Sequence, residues 1–510
     1  MDGTTGYDAV IVCTSNIGQE KYWQGRLEAT LGQAAKEGAL ILAVHEDWGK
    51  DGAGNGLGTL YAYTKARAKA KELGVDLDEK LQGGWAVAIF HTAGKGTRLA
   101  PLPGSENNNK PGVKLVSTMT IGREKTELTI LEAVIRQTNS YAPYRKGRCS
   151  VFWGDQIFVP SAGTPSSGAH HADILACLGE MPTAEQWAER GLEKYGLIAV
   201  AESGEATQVE KVSHATAMSL LSSFGPIKKV GPSLGSFSIS AALLLAMLEE
   251  FAVELEGKAA KLDSDPHFWM PLTLSAESYG SIMTGKGVAE ADSTAHYARM
   301  SAFKTKFLEA NPGPGLFGCI DAGSSSYWWD YGMLKLYRKN NMLVTQDSKE
   351  AAALRTFLRI TDKKAGSTIA ADVDEESVVL GSDVRKGTVR CSVCASVIAG
   401  ELDVKDCLLV NVTAKKIKAQ NCVLYNITDD SDEGLEFPDG AVRADVIVPG
   451  QDKLVVKSHI DTDGGKVWKQ KLEGNAMSFE EVYFMNADVD ISEAQRLAKQ
   501  AAKGVSTQLR

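Results

Sequence analysis

No apolar run in the 510 residues approaches the roughly 20 that a bilayer-spanning helix needs. A membrane-spanning role is therefore not expected. Cysteine is sparse, with eight residues, far below the density of a disulfide scaffold. The chain has one CxxC, Cys391-x-x-Cys394, with no second copy and no histidine nearby at zinc-ligand spacing. Its readings are a metal or redox pair, or strand residues in a repeat, and the repeat is preferred. A reducing compartment is the expected home. Basic charge is not in excess either: 55 Lys and Arg against 64 Asp and Glu give a net charge of −9. That argues against nonspecific binding to nucleic-acid polymers, whose affinity comes from clustered cations. A nucleotide monomer needs only local cations and is not opposed. The start, MDGTTGYDAVIVC, lacks a charged n-region followed by a long apolar stretch. No secretory signal is expected, and the expected location is the cytoplasm, or an organelle if a transit peptide has been removed. No Ser-His-Asp set stands out, and His170-His171 lie apart from the motifs below. The composition, 44% hydrophobic and 23% charged, is that of a globular protein of two or three domains.

Short apolar runs alternate with amphipathic stretches up to about residue 345. Asp8–Cys13, Ala39–Val44, Trp85–Phe90 and Cys149–Trp153 read as strands, and Leu60–Leu73 and Leu128–Asn139 as helices. This alternation predicts an α/β domain over residues 1–345, a Rossmann-like mixed sheet with parallel strands and ligands at their carboxyl ends. The pattern then changes. Val378–Val384, Ser392–Ile398, Asp406–Val412 and Asn421–Ile427 follow one another at steps of 14, 14 and 15 residues. The last two match position by position, Cys407 with Cys422 and Asn411 with Asn426. A fixed period of short β-branched segments predicts a parallel β-solenoid, a β-helix, over 346–475; an antiparallel meander is the alternative. From Ser478 the chain reads as helical, giving a tail over 476–510 that packs on the body or on a partner subunit.

His91–Leu115, HTAGKGTRLAPLPGSENNNKPGVKL, carries the most chemistry. Small residues at Gly94, Gly96 and Thr97 let backbone N–H groups approach phosphate oxygens, and Arg98, Lys110 and Lys114 supply fixed cations. His91 itself reads as packed. Val151-Phe-Trp-Gly-Asp155 is an apolar strand ending in a carboxylate about 60 residues after the glycine turn, a place for a hard cation or for a turn. Asp330, in Tyr327-Trp-Trp-Asp-Tyr-Gly332, is a second candidate; its alternative is the N-cap of a helix over Leu334–Lys339. Asp263-Ser-Asp-Pro-His-Phe-Trp269 reads as a capped helix start.

The wording Gly94-Lys95-Gly96-Thr97-Arg98-Leu99 with Pro101 and Lys110-Pro111 resembles the sugar-1-phosphate nucleotidyltransferases, the NDP-sugar pyrophosphorylases. The resemblance implies that the glycine turn wraps a triphosphate, Arg98 stabilises leaving pyrophosphate, and a lysine holds the α-phosphate. About two extra residues in the Gly104–Asn109 loop leave that lysine as Lys110 or Lys114, with Lys110 preferred. It also implies Mg²⁺ on Asp155 and Asp330. Lys211, in Val209-Glu-Lys-Val212 after Tyr195-Gly, would contact the sugar phosphate, though Val212 replaces the family's proline. Gly235, in Gly-Ser-Phe after Pro232, would let the sugar lie on the backbone.

Gly52–Ala62 is a second glycine-rich turn running into a helix, with Gly56, Gly58 and Thr59 as candidate base-pocket residues. Its place before the phosphate loop is similar to fucose-1-phosphate guanylyltransferase. GTRLAPL is closer to the uridylyl and adenylyl enzymes and to UDP-glucose pyrophosphorylase. The expected partners are a nucleoside triphosphate and a sugar 1-phosphate, with UTP preferred. A guanylyltransferase making a GDP-sugar and a catalytically silent nucleotide-sugar-binding regulator are the alternatives. The C-terminal domain suggests a homo-oligomer.

Overall fold

The structure is a computed structural model. It describes residues 5–49, 52–122, 124–159, 170–189, 191–194, 196–210, 212–222, 224–323 and 326–509. It divides into two units: Met1–Ala93, Arg136–Trp153 and Phe158–Tyr327 form the first, and Gly94–Ile135, Gly154–Ile157 and Trp328–Arg510 the second. The expected boundary near residue 345 is thus linear, whereas the second unit gathers three separate stretches. Among the described residues no helix is long and apolar enough to cross a membrane.

The first unit is built on a mixed sheet. Strand Ala9–Thr14 lies between Leu40–His45 and Ala86–His91, parallel to both, and Ala86–His91 is parallel to Arg148–Trp153. Ile227–Ser240 then runs antiparallel to Arg148–Trp153, His170–Ala176 and Gly196–Ala201. The central strand AVIVCT is buried at every position, which is why it reads as a continuous apolar run without alternation.

Helix Gly54–Glu72 begins within the expected glycine-rich turn, so Gly56, Gly58 and Thr59 are helical and buried. No side chain at the N-cap position, Ala53, closes this helix. Its first amides are bonded instead by a distant segment of the same unit. Asn55 N donates to Asp263 Oδ1 at 2.9 Å, and Gly56 N and Leu57 N donate to Leu262 O. A Cβ on Gly56 would stand 2.8 Å from Leu262 O and 2.9 Å from the Phe268 ring. Glycine is present here because backbone and ring come this close. Asp263 therefore caps a helix as expected, but a different one from the helix that follows it.

In the second unit, parallel strands repeat at a constant offset. Val378 pairs with Val393, Val393 with Leu408, and Leu408 with Val423, a step of 15 residues each time. The expected steps of 14 and 14 for the first two intervals are corrected to 15. Side chains account for the constancy. The N–H of each next row meets a side chain of the row before: Ser392 N to Ser377 Oγ and Cys407 N to Ser392 Oγ, both at 3.0 Å, and Cys422 N to Cys407 Sγ at 3.4 Å. Gly381, Ser396, Asn411 and Asn426 all take left-handed backbone, with φ of 56°, 55°, 54° and 50°. Asn411 Nδ2 donates to Asn426 Oδ1 at 2.7 Å across one step. Inside the stack lie Val379, Cys394, Leu409 and Leu424. Cys394 is thus core, Cys391 sits at a left-handed corner, and no disulfide joins any of the eight cysteines.

The helical tail follows as expected. Ser478 forms a capping box with Glu481 at the start of Phe479–Met485. Helix Ile491–Gln508 packs against strand Leu408–Gln420, within the same unit.

The left-handed row makes a direct prediction. Ser396 adopts a conformation that costs a residue with a Cβ about 1–2 kcal/mol, most for a β-branched one. Ser396→Val should destabilise by at least about 1 kcal/mol, and Ser396→Gly should be neutral or stabilising. Thermal unfolding of the two variants against the parent checks the order.

Candidate active site

The glycine-rich loop, Lys110, Asp155 and Asp330 all belong to the second unit. Gly96 has a φ of 66°, and a Cβ there would meet Lys110 Cγ and Cδ at 3.0 Å. Gly96 is therefore required twice, for its dihedral and for the lysine stem that crosses it. Beyond that crossing, Lys110 Nζ meets Asp155 Oδ2 at 2.9 Å. Thr97–Leu99 forms a single 3₁₀ turn, and Arg98 is exposed beside it.

Lys114 has a different environment. Its ammonium is paired with Glu106, its N–H donates to Tyr425 OH at 2.8 Å, and its carbonyl accepts from Tyr337 OH at 2.6 Å. Glu106, 2% exposed, also accepts from Tyr425 OH at 2.6 Å and Asn426 Nδ2 at 2.8 Å. A carboxylate so enclosed is tolerated because three donors, one of them an ammonium, converge on its Oε1. The Gly104–Asn109 stretch, which lengthens this loop, is accordingly well buried beyond Gly104 rather than looping out from the surface.

Asp330 ends the strand Tyr327–Asp330. Its N-cap alternative does not occur: Met333 holds that position for helix Leu334–Met342. Asp330 Oδ1 instead accepts from Gly332 N at 2.7 Å, and Tyr331 N donates to Asp155 O at 2.9 Å. These two bonds bring the carboxylates together around Gly332. A Cβ on Gly332 would stand 2.7 Å from Asp155 Oδ2 and 3.1 Å from Asp330 Oδ1. Burial raises the Asp330 pKa above its ordinary 3.8, and the Asp155 charge adds to this. The Gly332 hydrogen bond, Arg98 and Lys110 oppose it. Among the described residues no group of three or more His, Cys, Asp and Glu side chains is placed to hold a metal. Asp155 and Asp330 are two carboxylates that approach one another around Gly332.

Gly56, Gly58, Thr59 and Gly235 lie in the first unit. Thr59 Oγ1 donates to Asn55 O and accepts from His91 Nε2 at 2.8 Å, an assignment that follows from its single proton. Burial lowers the His91 pKa to about 4, so the ring is neutral at pH 7 and packed as expected. Gly235 has a φ of 72°, and a Cβ there would meet Trp153 Nε1 at 2.5 Å. Lys211 and Tyr195 lie outside the described residues. Two features escaped the sequence reading. Glu106 looked like one more loop carboxylate. Trp328, 40% exposed, shares a strand face with Asp330 because side chains alternate along a strand. The aromatic two residues before the aspartate was its visible signal.

No protein-family model matches the chain, and no curated protein matches it. Among solved structures, the chain is similar to HddC from Yersinia pseudotuberculosis. Identity is 10%, over 65% of this chain and 97% of that one, with a TM-score of 0.21. A likeness at that level carries no argument, so the functional reading rests on the site itself.

The raised Asp330 pKa fixes a sign. The folded state holds this proton more tightly than the unfolded chain does. Stability present below the ordinary carboxylate range is lost as pH rises through the folded pKa. Asp330→Asn keeps an acceptor for Gly332 N and removes the charge. In chelator-treated buffer its melting temperature should exceed the parent's at pH 8, and the gap should narrow towards pH 4. An equal gap at both pH values would contradict the assigned environment.

Proposed function

We propose that the chain is a sugar-1-phosphate nucleotidyltransferase, joining a nucleoside triphosphate to a hexose 1-phosphate with release of pyrophosphate. One observation carries the reading: a glycine-rich loop, an exposed arginine, a lysine and two carboxylates converge within one unit. In the proposed reaction a sugar-phosphate oxygen attacks the α-phosphorus and pyrophosphate leaves in line. No covalent enzyme intermediate is required, so catalysis consists of positioning and charge neutralisation.

Lys110 is the lysine assigned to the α-phosphate, since Lys114 is already paired with Glu106. Arg98, exposed at the loop's edge, is assigned to the β and γ oxygens and to departing pyrophosphate. Lys211 and Gly235 are kept as sugar-side residues on the resemblance alone, and Gly94, Gly96 and Thr97 as the backbone cradle. Asp155 and Asp330 fit Mg²⁺, which accepts one or two carboxylates together with substrate phosphates. Burial first, and the Asp155 charge in addition, raise the Asp330 pKa, and a dication would offset both. When bound, Mg²⁺ supplies positive charge against phosphate oxygens.

UTP is the preferred nucleotide, on the GTRLAPL wording. The guanylyl alternative drew on a Gly52–Thr59 turn in the base pocket. Gly56, Gly58 and Thr59 lie in the first turns of a helix whose opening amides are bonded within the chain, which weighs towards UTP. The silent-regulator alternative has no need to keep Asp155, Asp330, Arg98 and Lys110 together. We also read the 15-residue stack as a parallel β-helix, with a homo-oligomer through that region as a further proposal.

A pyrophosphate-release assay with Mg²⁺, across four nucleoside triphosphates and several hexose 1-phosphates, tests this reading. Turnover is expected with at least one pair, highest with UTP. Arg98→Ala should lower it about 10²–10³-fold, the usual cost of one electrostatic group. No turnover with any pair, alongside nucleotide-sugar binding, would favour the regulator; an active Arg98→Ala would remove the role given to Arg98.

A further inference from the structure

Gly104–Asn109 lengthens the loop between Arg98 and Lys110, and two consecutive residues in it are left-handed. Asn107 and Asn108 have φ of 52° and 63°. Asparagine enters this region more readily than other residues with a Cβ. Both side-chain amides also reach out of the turn, towards the C-terminal part of the same unit. Asn107 Nδ2 donates to Ile447 O and to Asn486 Oδ1, each at 2.9 Å, and Asn108 Nδ2 donates to Tyr483 O at 2.6 Å. Asn486, 2% exposed, returns its own Nδ2 to Gly104 O at 2.9 Å. One buried amide thus grips both the start and the left-handed end of the turn. Ser105 Oγ adds a bond to Asp445 O at 2.6 Å.

The same C-terminal stretch meets the glycine-rich turn. Lys95 Nζ lies 5.3 Å from the centroid of the Tyr483 ring. Gly464 comes so close to the loop backbone that a Cβ would stand 2.3 Å from Thr97 O. The grip passes on to the lysine through the backbone, because Lys110 N donates to Asn108 O at 3.0 Å.

Resting on the assignment of Gly94–Lys110 as the phosphate loop, we propose that Asn107 and Asn486 are positioning residues for Lys110. They form a clip that sets the loop's affinity for a polyphosphate from 379 residues away in sequence. The C-terminal stretch is then part of the phosphate site's construction rather than an appended module.

Glycine separates this proposal from a purely conformational role. Asn107→Gly keeps the left-handed backbone and deletes only the amide. If Asn107 merely fills that conformation, glycine should match or improve on the parent. If the amide is a clip, glycine should fail as alanine does. The full-length protein is titrated with magnesium pyrophosphate by calorimetry, and hydrogen exchange is followed over residues 102–113. Asn107→Gly and Asn486→Ala should each weaken binding about tenfold, the scale of one or two net hydrogen bonds. Both should speed exchange in that segment while leaving strand Ala86–His91 unchanged. The double variant should be worse than either single one but by less than the product of the two losses, since the residues share one bond and each makes one more. Should Asn486→Ala not fold, Asn486→Asp keeps the acceptor for Asn107 and loses the donor to Gly104 O. Parent-like binding and parent-like exchange in Asn107→Gly would overturn the clip. If the parent itself fails to bind pyrophosphate, the nucleotidyl-transfer reading falls, and the exchange comparison alone decides the clip.

Discussion

Lys110 and Asp155, 2.9 Å apart and each less than a fifth exposed, make the contact on which the candidate site depends. The lysine reaches the carboxylate only because Gly96 leaves its stem a path. Asp155 is held in place by Tyr331 N, and Gly332 lets Asp330 approach without a Cβ between them. Burial, with the Asp155 charge added, raises the Asp330 pKa although Arg98 and Lys110 oppose it. Under the proposed function, charge that arrives with a ligand would relieve this site, a common conflict between function and stability.

The contrast between Lys110 and Lys114 shows why residue type alone does not assign a role. Four positions apart, both are lysines in a glycine-rich neighbourhood. Lys114 is committed to Glu106 and fixed by two tyrosines, Tyr337 and Tyr425. Lys110 is committed to a carboxylate that itself belongs to the site. A buried pair like Lys114–Glu106 is costly to break from one side, because the remaining charge is stranded. It therefore serves to shape the loop, while Lys110 pairs with Asp155 beside the second carboxylate.

Much of this was legible in the sequence. The four N-terminal strands, the strand-end aspartates and the helical tail from Ser478 follow from local patterns, and the structure has them within a residue or two. The period of the C-terminal strands was read as 14 before settling at 15. Ser377 and Ser392 occupy the places that Cys407 and Cys422 hold later, and chemical equivalence of a hydroxyl and a thiol does not show in a pattern of apolar residues. The Gly52–Ala62 stretch reads as a turn running into a helix over Leu60–Leu73, and the helix begins earlier, at Gly54. Its helix is capped by Leu262 and Asp263, about 200 residues ahead, and no local signal carries that. The burial of Glu106 and the reach of Asn107 to Asn486 were invisible for the same reason: both depend on contacts more than 300 residues long.

A crystal structure with Mg²⁺ and UTP tests the central claim most directly. A metal ion is expected between Asp155 and Asp330, with Lys110 withdrawn from Asp155 onto a phosphate oxygen and Arg98 against the triphosphate. A triphosphate bound elsewhere, or bound here with Lys110 still paired to Asp155 and no metal on the two carboxylates, would contradict it.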